Sequence, residues 1–263
     1  MDMPVESWYG AIFARKSRRS FNGRPVDPAV LDKLSAFCGH FRPFPAARAV
    51  IVPRPPEAVL RGLIGNYGRI TGAPAYAAFL GESEARNVQA AIGYTGEALI
   101  LEATTLGLGT CWVSGFFRPT EVHAHLSLAP GERVFAVTPI GWAAESYTYR
   151  DLLYRKLARS DGRKPLAELV EPAGLPLEPW QEKAVEAARL APSASNRQPW
   201  RFAAGPGFVE IAASGARDGE RFAKRLDCGI AMLHLELGAR AAGKTGAWTL
   251  LDYPRIARYE IIV

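Results

Sequence analysis

The sequence predicts an α+β fold in which two related α/β halves pack on each other as an intrachain pseudo-dimer. Three observations lead to this prediction: two sets of matching segments, each at a constant spacing, and a proline-rich stretch between the copies. With 263 residues, 48% of them hydrophobic, the chain can form either one large domain or two small ones around a sizeable core.

The first set of matches begins with two helix starts that lie 151 residues apart. Asp27-Pro28 and Glu178-Pro179 both place an acidic residue before a proline. An acidic side chain is favourable at a helix N-terminus. Proline is tolerated at the first helical position because a backbone N–H there would have no partner within the helix. Apolar strand candidates at 49–51 and 200–202 match at the same spacing.

The second set pairs two helices that are apolar on most sides, which predicts that both are buried. Six identities lie in order at a spacing of 136: Gly93, Leu99, Leu101, Ala103, Gly107 and Trp112 match Gly229, Leu235, Leu237, Ala239, Gly243 and Trp248. A glycine follows the end of each helix. Glycine suits this position because the residue after a helix often adopts a left-handed backbone conformation. Because the spacings 151 and 136 differ by 15, the first copy has 15 additional residues before its buried helix. An apolar strand ends each copy, at 134–137 and 259–263.

The segment 171–179 contains three prolines and cannot be helical throughout. We therefore place the boundary here, with a first half over residues 1–172 and a second half over residues 173–263.

Charge and cysteine content limit the classes of partner. The net charge is +6, but the one dense basic run is at 15–19, and scattered basic pairs suit a phosphate pocket better than a nucleic-acid groove. The three cysteines are widely spaced, so neither a disulfide framework nor a metal site is indicated. No apolar stretch has the length of a signal peptide or membrane span. These features predict a soluble cytoplasmic protein with a small-molecule substrate and neither nucleic acid nor membrane as partner.

The segment 191–200, Ala-Pro-Ser-Ala-Ser-Asn-Arg-Gln-Pro-Trp, follows a predicted helix and precedes a strand. Small and polar residues between two prolines form a rigid loop whose backbone amides and hydroxyls can approach a flat heterocycle. The simpler interpretation is a turn that ends a helix. The first copy has a different sequence at this spacing, residues 41–48, and this asymmetry favours a functional loop.

The second motif is Arg18-Arg19-Ser20-Phe21, which also has no counterpart in the other half. Two guanidinium groups and a hydroxyl within three residues form a phosphate clamp, because the planar guanidinium matches phosphate oxygens. The alternative is a solvated helix end.

Together with the run 107–116, Gly-Leu-Gly-Thr-Cys-Trp-Val-Ser-Gly-Phe, these motifs resemble the FMN-dependent nitroreductase family. The loop lies in the second half here, so the chain is most similar to the subgroup in which two half-like copies are fused. Ordinary members are homodimers that hold each FMN with the arginine–serine and glycine segments of one subunit and the Pro-Ser loop of the other. The resemblance therefore implies a monomer with one FMN between its halves.

The resemblance also implies roles for individual residues. The phosphate and ribityl end would be held by Arg18, Arg19 and Ser20, and the ribityl chain and ring would lie along Pro192, Ser193, Ala194 and Asn196. The backbone N–H groups of Ser114 and Gly115 would lie near flavin N5, where hydride arrives and leaves. Asn66 and Arg69 would adjoin the pyrimidine edge, and Arg69 would stabilise negative charge on the reduced ring. Arg163 would close on the phosphate, with Arg155 and Arg159 as rival candidates.

The activity implied is hydride transfer from NADH or NADPH through FMN to a nitroaromatic, a quinone or a similar flat acceptor. Two alternatives remain open: a non-catalytic FMN-binding protein for storage, sensing or assembly, and an enzyme that dehalogenates aromatics or cleaves the flavin. The sequence does not distinguish NADH from NADPH.

Overall fold

The computed structural model describes residues 3–60, 70–145, 162–172, 176–215 and 223–262. The first half has α1 (Val5–Ala14), α2 (Pro28–His40), β1 (Ala47–Val52), α3 (Glu57–Leu60), β2 (Ala75–Glu82), α4 (Val88–Thr105), β3 (Gly109–Thr110), α5 (Pro119–His123) and β4 (Glu132–Gly141). A short helix α6 (Leu166–Leu169) precedes α7 (Pro179–Arg189), a 3₁₀ turn (Ala194–Asn196), β5 (Trp200–Gly205), β6 (Phe208–Ala213), α8 (Lys224–Ala241), β7 (Gly246–Leu250) and β8 (Arg255–Ile261). None of the helices in these ranges is long and apolar enough to cross a membrane.

The two halves repeat one sheet topology. The strand order is β1-β2-β4-β3 in the first sheet and β5-β6-β8-β7 in the second. Neighbouring strands are antiparallel in both sheets. Even an irregularity recurs, because the β2–β4 and β6–β8 pairs each contain a register shift, at Phe79/Leu80 and Ile211/Ala212. This repeat confirms the predicted fold of two related α/β halves.

Helix boundaries lie where the sequence signals predict them. The Asp27 carboxylate accepts the backbone N–H of Ala29 at 2.8 Å and caps α2. At the start of α7, Glu178 and Gln181 form a reciprocal capping box. Beyond the C-terminal ends of α4 and α8, the predicted glycines, Gly107 and Gly243, have φ values of 77° and 76°, which confirms the left-handed position.

The central helices α4 and α8 cross in backbone contact. A Cβ atom on Gly93 would collide with the Leu226 carbonyl oxygen, and one on Gly229 would collide with the Ala90 carbonyl oxygen. Gly93 and Gly229 are counterparts at the spacing of 136, and each lies against the other, so the pseudo-twofold axis passes between them. One hydrophobic cluster extends through both helices and both sheets, so the halves share a core.

We expect Gly93→Ala to lower the free energy of unfolding by about 1–3 kcal/mol, because the added methyl forces the helices apart. Gly10→Ala is the matched control: Gly10 is also helical, but a Cβ there meets open space, so this change should stabilise by roughly 0.5–1 kcal/mol. Urea denaturation of both variants checks the pair, and effects of the same sign and size would contradict the crossing.

Candidate functional site

The loop of residues 192–198 has an unusual backbone. It follows α7 and precedes β5, as predicted from its sequence. Ser195, Asn196 and Gln198 have φ values of 52°, 53° and 49°, a left-handed conformation that non-glycine residues adopt rarely. Such conformations persist only where the surrounding structure holds them, and they cluster at functional sites. The loop is therefore fixed in a shape that its own residues do not favour.

Asp227 in the first turn of α8 is one of the groups that hold this loop. Its carboxylate is 3% exposed and accepts the backbone N–H of Ala194 at 3.2 Å. The same carboxylate accepts hydrogen bonds from Nε and Nη2 of Arg197 at 3.1 and 3.0 Å. Asp227 is not among the site residues predicted from the sequence, although an acid in the first turn of a helix is a recognisable signal.

Arg163 meets the loop from the other side. Its Nη1 donates to Asn196 Oδ1 at 3.2 Å, and its Nη2 donates to the Leu190 carbonyl at 3.3 Å. The Asn196 amide in turn donates to the Gly162 carbonyl at 2.9 Å. Two residues that the sequence assigned to one site, Arg163 and Asn196, are thus in direct contact.

Lys164 and Gln198 complete this junction. The Lys164 backbone N–H donates to Gln198 Oε1 at 2.8 Å, and its Nζ donates to the Gln198 carbonyl at 3.2 Å. Burial, together with the positive charge of Arg201, lowers the pKa of Lys164. Inside the loop, the Gln198 N–H donates to Ser193 Oγ at 2.9 Å, so the predicted site residue Ser193 also stabilises the turn. Its predicted neighbours Pro192 and Ala194 are half-buried.

The arginine–serine motif is extended backbone after α1 rather than a helix end. Ser20 pairs with Thr71, and the Arg18 N–H donates to the Thr110 carbonyl at 2.7 Å. Arg18, Arg19 and Ser20 are all half-buried. Arg19 Nε is buried with no hydrogen-bond partner in the described ranges. A buried guanidinium donor of this kind is suited to an anionic acceptor.

Ser114 and Gly115 lie further along the same edge of the first sheet. The bridge between Val113 and Val137 aligns this run with β4. Ser114 and Gly115 line a cavity of about 270 Å³ that is also lined by Ala223 and Leu226 of the second half. The predicted N5-facing segment thus borders a space between the two halves.

A buried carboxylate connects these parts of the molecule. Glu97 is fully buried, accepts Trp112 Nε1–H at 2.7 Å and lies 3.6 Å from Arg15 Nε. His234, also fully buried, contacts Glu97 Oε1 through Nε2 at 3.0 Å and the Ala187 carbonyl through Nδ1 at 3.2 Å. Both ring nitrogens of His234 therefore face oxygen atoms. His234 is thus a hydrogen-bonded histidine of the core.

Four predicted residues cannot be placed: Asn66, Arg69, Arg155 and Arg159 lie outside the described residues. The ligand roles of all the other predicted residues likewise remain predictions.

The comparisons with known proteins identify the family. The model of the family described as "Putative TM nitroreductase" matches residues 7–239. The chain belongs to this family. No curated protein sequence matches it.

Solved structures of nitroreductase-family proteins are also similar. A similarly described Thermotoga maritima protein, 22% identical, matches over 99% of this chain and 96% of its own, with a TM-score of 0.60. A nitroreductase family protein of Clostridium difficile 630, 19% identical, matches over 66% of this chain and 100% of its own, with a TM-score of 0.46. One from Clostridium novyi NT, 20% identical, matches over 52% and 86%, with a TM-score of 0.44. The first similarity supports a nitroreductase-like fold for the whole chain.

We expect Asp227→Asn to lower the free energy of unfolding by about 1.5–3 kcal/mol, because the loop loses charge-assisted hydrogen bonds. Amide hydrogen exchange over 192–198 should accelerate at the same time. Asp252→Asn is the control: its ion pair with Arg86 is exposed, so its removal should change stability by less than about 1 kcal/mol. Unaltered exchange in the loop of Asp227→Asn would show that another group fixes it.

Proposed function

We propose that this member of the nitroreductase family binds one FMN between its halves and acts as an NADH- or NADPH-dependent oxidoreductase on nitroaromatics, quinones or similar flat acceptors. Bound FMN supplies the redox chemistry, since it can take up a hydride from a nicotinamide and release electrons to an acceptor. The chain itself has to hold the cofactor, orient both reactants and limit the access of water.

The observation that carries this proposal is the junction between Arg163 and Asn196. A guanidinium near the end of the first half and the strained loop of the second half meet through a 3.2 Å hydrogen bond. The two motifs are 33 residues apart. A site that needs both can exist only where the halves meet, as the family resemblance implies.

The phosphate end of the cofactor fits the arginine–serine segment. Arg19 presents a buried Nε without a partner among the residues described, and its guanidinium geometry matches phosphate oxygens. Arg18 and Ser20 lie beside it on the extended backbone. We assign the clamp to these three residues and the closing contact to Arg163.

The ring of the cofactor is assigned to the space between Ser114–Gly115 and the loop of Pro192, Ser193, Ala194 and Asn196. Gly115 lines the cavity and has no side chain, so a flat ring could approach its backbone closely. Asn66 and Arg69 are proposed for the pyrimidine edge. There the positive charge of Arg69 would stabilise negative charge on the reduced ring.

The proposal includes a monomeric, cytoplasmic protein with one flavin per chain. The shared core supports a monomer, because each half already covers the other as a partner subunit would. The three cysteines are buried free thiols, and burial raises the pKa of Cys38 to about 12, which suits a reducing compartment.

Purified protein should carry, or take up, one FMN per chain, and NADH or NADPH should bleach the flavin absorption under anaerobic conditions. A colourless protein that cannot be loaded with FMN would contradict the proposal at its first step. Loading without bleaching by either nicotinamide would support the non-catalytic alternative. Gel filtration of the loaded protein tests the monomer.

We expect Arg18→Ala to weaken FMN binding by about 1.5–3 kcal/mol, the value of a lost charge-assisted hydrogen bond. Arg86→Ala removes an equal charge at an exposed ion pair remote in sequence from the clamp, and its FMN affinity should match that of the unaltered protein. Titration monitored by flavin fluorescence measures both. Equal affinities for the two variants would exclude Arg18 from the clamp.

A further inference from the structure

The fully buried side chains of Glu97 and His234 meet between the two central helices. Glu97 is on α4 of the first half and His234 is on α8 of the second half, with the ring Nε2 3.0 Å from Glu97 Oε1. Three further residues contact this pair, each from a different segment: Arg15, Trp112 and Ala187. Each of these segments leads into a motif that we assign to the flavin site.

Arg15 connects the pair to the arginine–serine motif, which begins three residues later. Its side chain is 7% exposed, and its Nε lies 3.6 Å from Glu97 Oε1. A buried guanidinium needs a carboxylate nearby, because its charge has lost most of its contact with water. The matching residue of the second copy, at the spacing of 151, is Leu166, which carries no charge. The ion pair is therefore specific to the half that contains the motif.

Trp112 connects the pair to Ser114 and Gly115, which follow it closely along the chain. The indole N–H donates to Glu97 Oε2 at 2.7 Å. Gly96 leaves room for the indole on α4, since a Cβ atom there would collide with the ring. Packing and one hydrogen bond thus fix the indole, and the backbone of the next residues is held with it.

In the second half, His234 connects the pair to the helix that leads into the loop 192–198. Its Nδ1 lies 3.2 Å from the carbonyl oxygen of Ala187 near the end of α7. Asp227, about two turns earlier on α8, accepts the backbone N–H of Ala194 within the loop. Helix α8 therefore contacts both the loop and the helix before it, and His234 extends this support to Glu97.

A second buried cluster, around Glu236, provides a comparison. Glu236 accepts Trp248 Nε1–H at 2.8 Å, Arg240 Nε–H at 2.8 Å and the Tyr94 hydroxyl at 2.7 Å. Two of these partners, Tyr94 and Arg240, are on the central helices themselves. The Glu236 cluster therefore stabilises the crossing of α4 and α8, whereas the Glu97 cluster also reaches the segments of the site.

We infer that Glu97 and His234 are positioning residues of the flavin site. The pair links the arginine–serine motif, Ser114–Gly115 and the loop 192–198, so that the three segments hold one arrangement before the cofactor binds. Such pre-organisation raises affinity, because less conformational freedom is lost on binding. The role of the pair toward FMN rests on the proposed function, whereas the linkage of the three segments does not.

Glu97→Gln and its matched control Glu236→Gln test this role. Glutamine has a donor NH2 in place of one acceptor oxygen, so at Glu97 it would face either the Trp112 indole or Arg15, which are donors too. We expect Glu97→Gln to weaken FMN binding about tenfold, the equivalent of one hydrogen bond to a charged group. Glu236→Gln should leave the FMN affinity unchanged. Titration followed by flavin fluorescence measures both, and equal losses would overturn the inference, because they would reflect a general loss of stability.

Amide hydrogen exchange of the flavin-free protein is the second measurement. In Glu97→Gln, exchange should accelerate together in 15–20, 112–115 and 187–198, whereas Glu236→Gln should leave these segments unchanged. Acceleration in fewer than all three segments of Glu97→Gln would overturn the inference. If the unaltered protein binds no FMN, the proposed function fails, and the exchange pattern still decides whether the pair links the segments.

Trp112→Phe and Trp248→Phe form a second pair of variants, for the case that Glu97→Gln does not fold. Each change removes one indole N–H from a buried glutamate and keeps an aromatic ring. Trp112→Phe should weaken FMN binding about tenfold as well, and Trp248→Phe should not change it. Unchanged FMN affinity in Trp112→Phe would count against the positioning role and overturn the inference.

Discussion

The backbone contact between Gly93 and Gly229 is the constraint on which the rest of the molecule depends. Because no side chain separates α4 from α8 at this point, the helices have one close crossing, and residues further along each helix are brought into fixed register. Tyr94, one residue after the contact, donates to Glu236 at 2.7 Å across the interface. Burial and the negative charge of Glu236 raise the pKa of Tyr94 well above its ordinary value, so the hydroxyl remains a donor.

The buried carboxylates on these helices show how the repeat has been modified. Trp112 and Trp248 are counterparts, and each indole N–H donates to a buried glutamate, Glu97 at 2.7 Å and Glu236 at 2.8 Å. The glutamates are not counterparts, because the residue that matches Glu97 is Leu233. The two tryptophan donors thus occupy equivalent positions. The second acceptor, Glu236, lies three residues after the position equivalent to Glu97. A buried carboxylate is costly without hydrogen-bond partners, and each indole N–H supplies one of the partners of its glutamate.

The sequence predicted those features that depend on local signals. Acid-proline helix starts, glycines after the buried helices and the apolar strands each have a cause within a few residues. Strands β6 and β7 were not predicted: β7 alternates between exposed and half-buried residues and has no apolar run. The left-handed residues of the 192–198 loop and the role of Asp227 were also missed, since they depend on contacts between segments about 30 residues apart.

Covalent linkage of the halves has a consequence for molecular recognition. In a homodimer, both subunits have the same sequence. A glutamate of one subunit can therefore meet a histidine of the other only if each subunit has both residues. Here Glu97 and His234 each occur on one helix only, and the matching positions are Leu233 and Ala98. Two copies of the first half would bring glutamate without histidine to their interface. At this position the contact surfaces of the two halves are therefore complementary rather than identical.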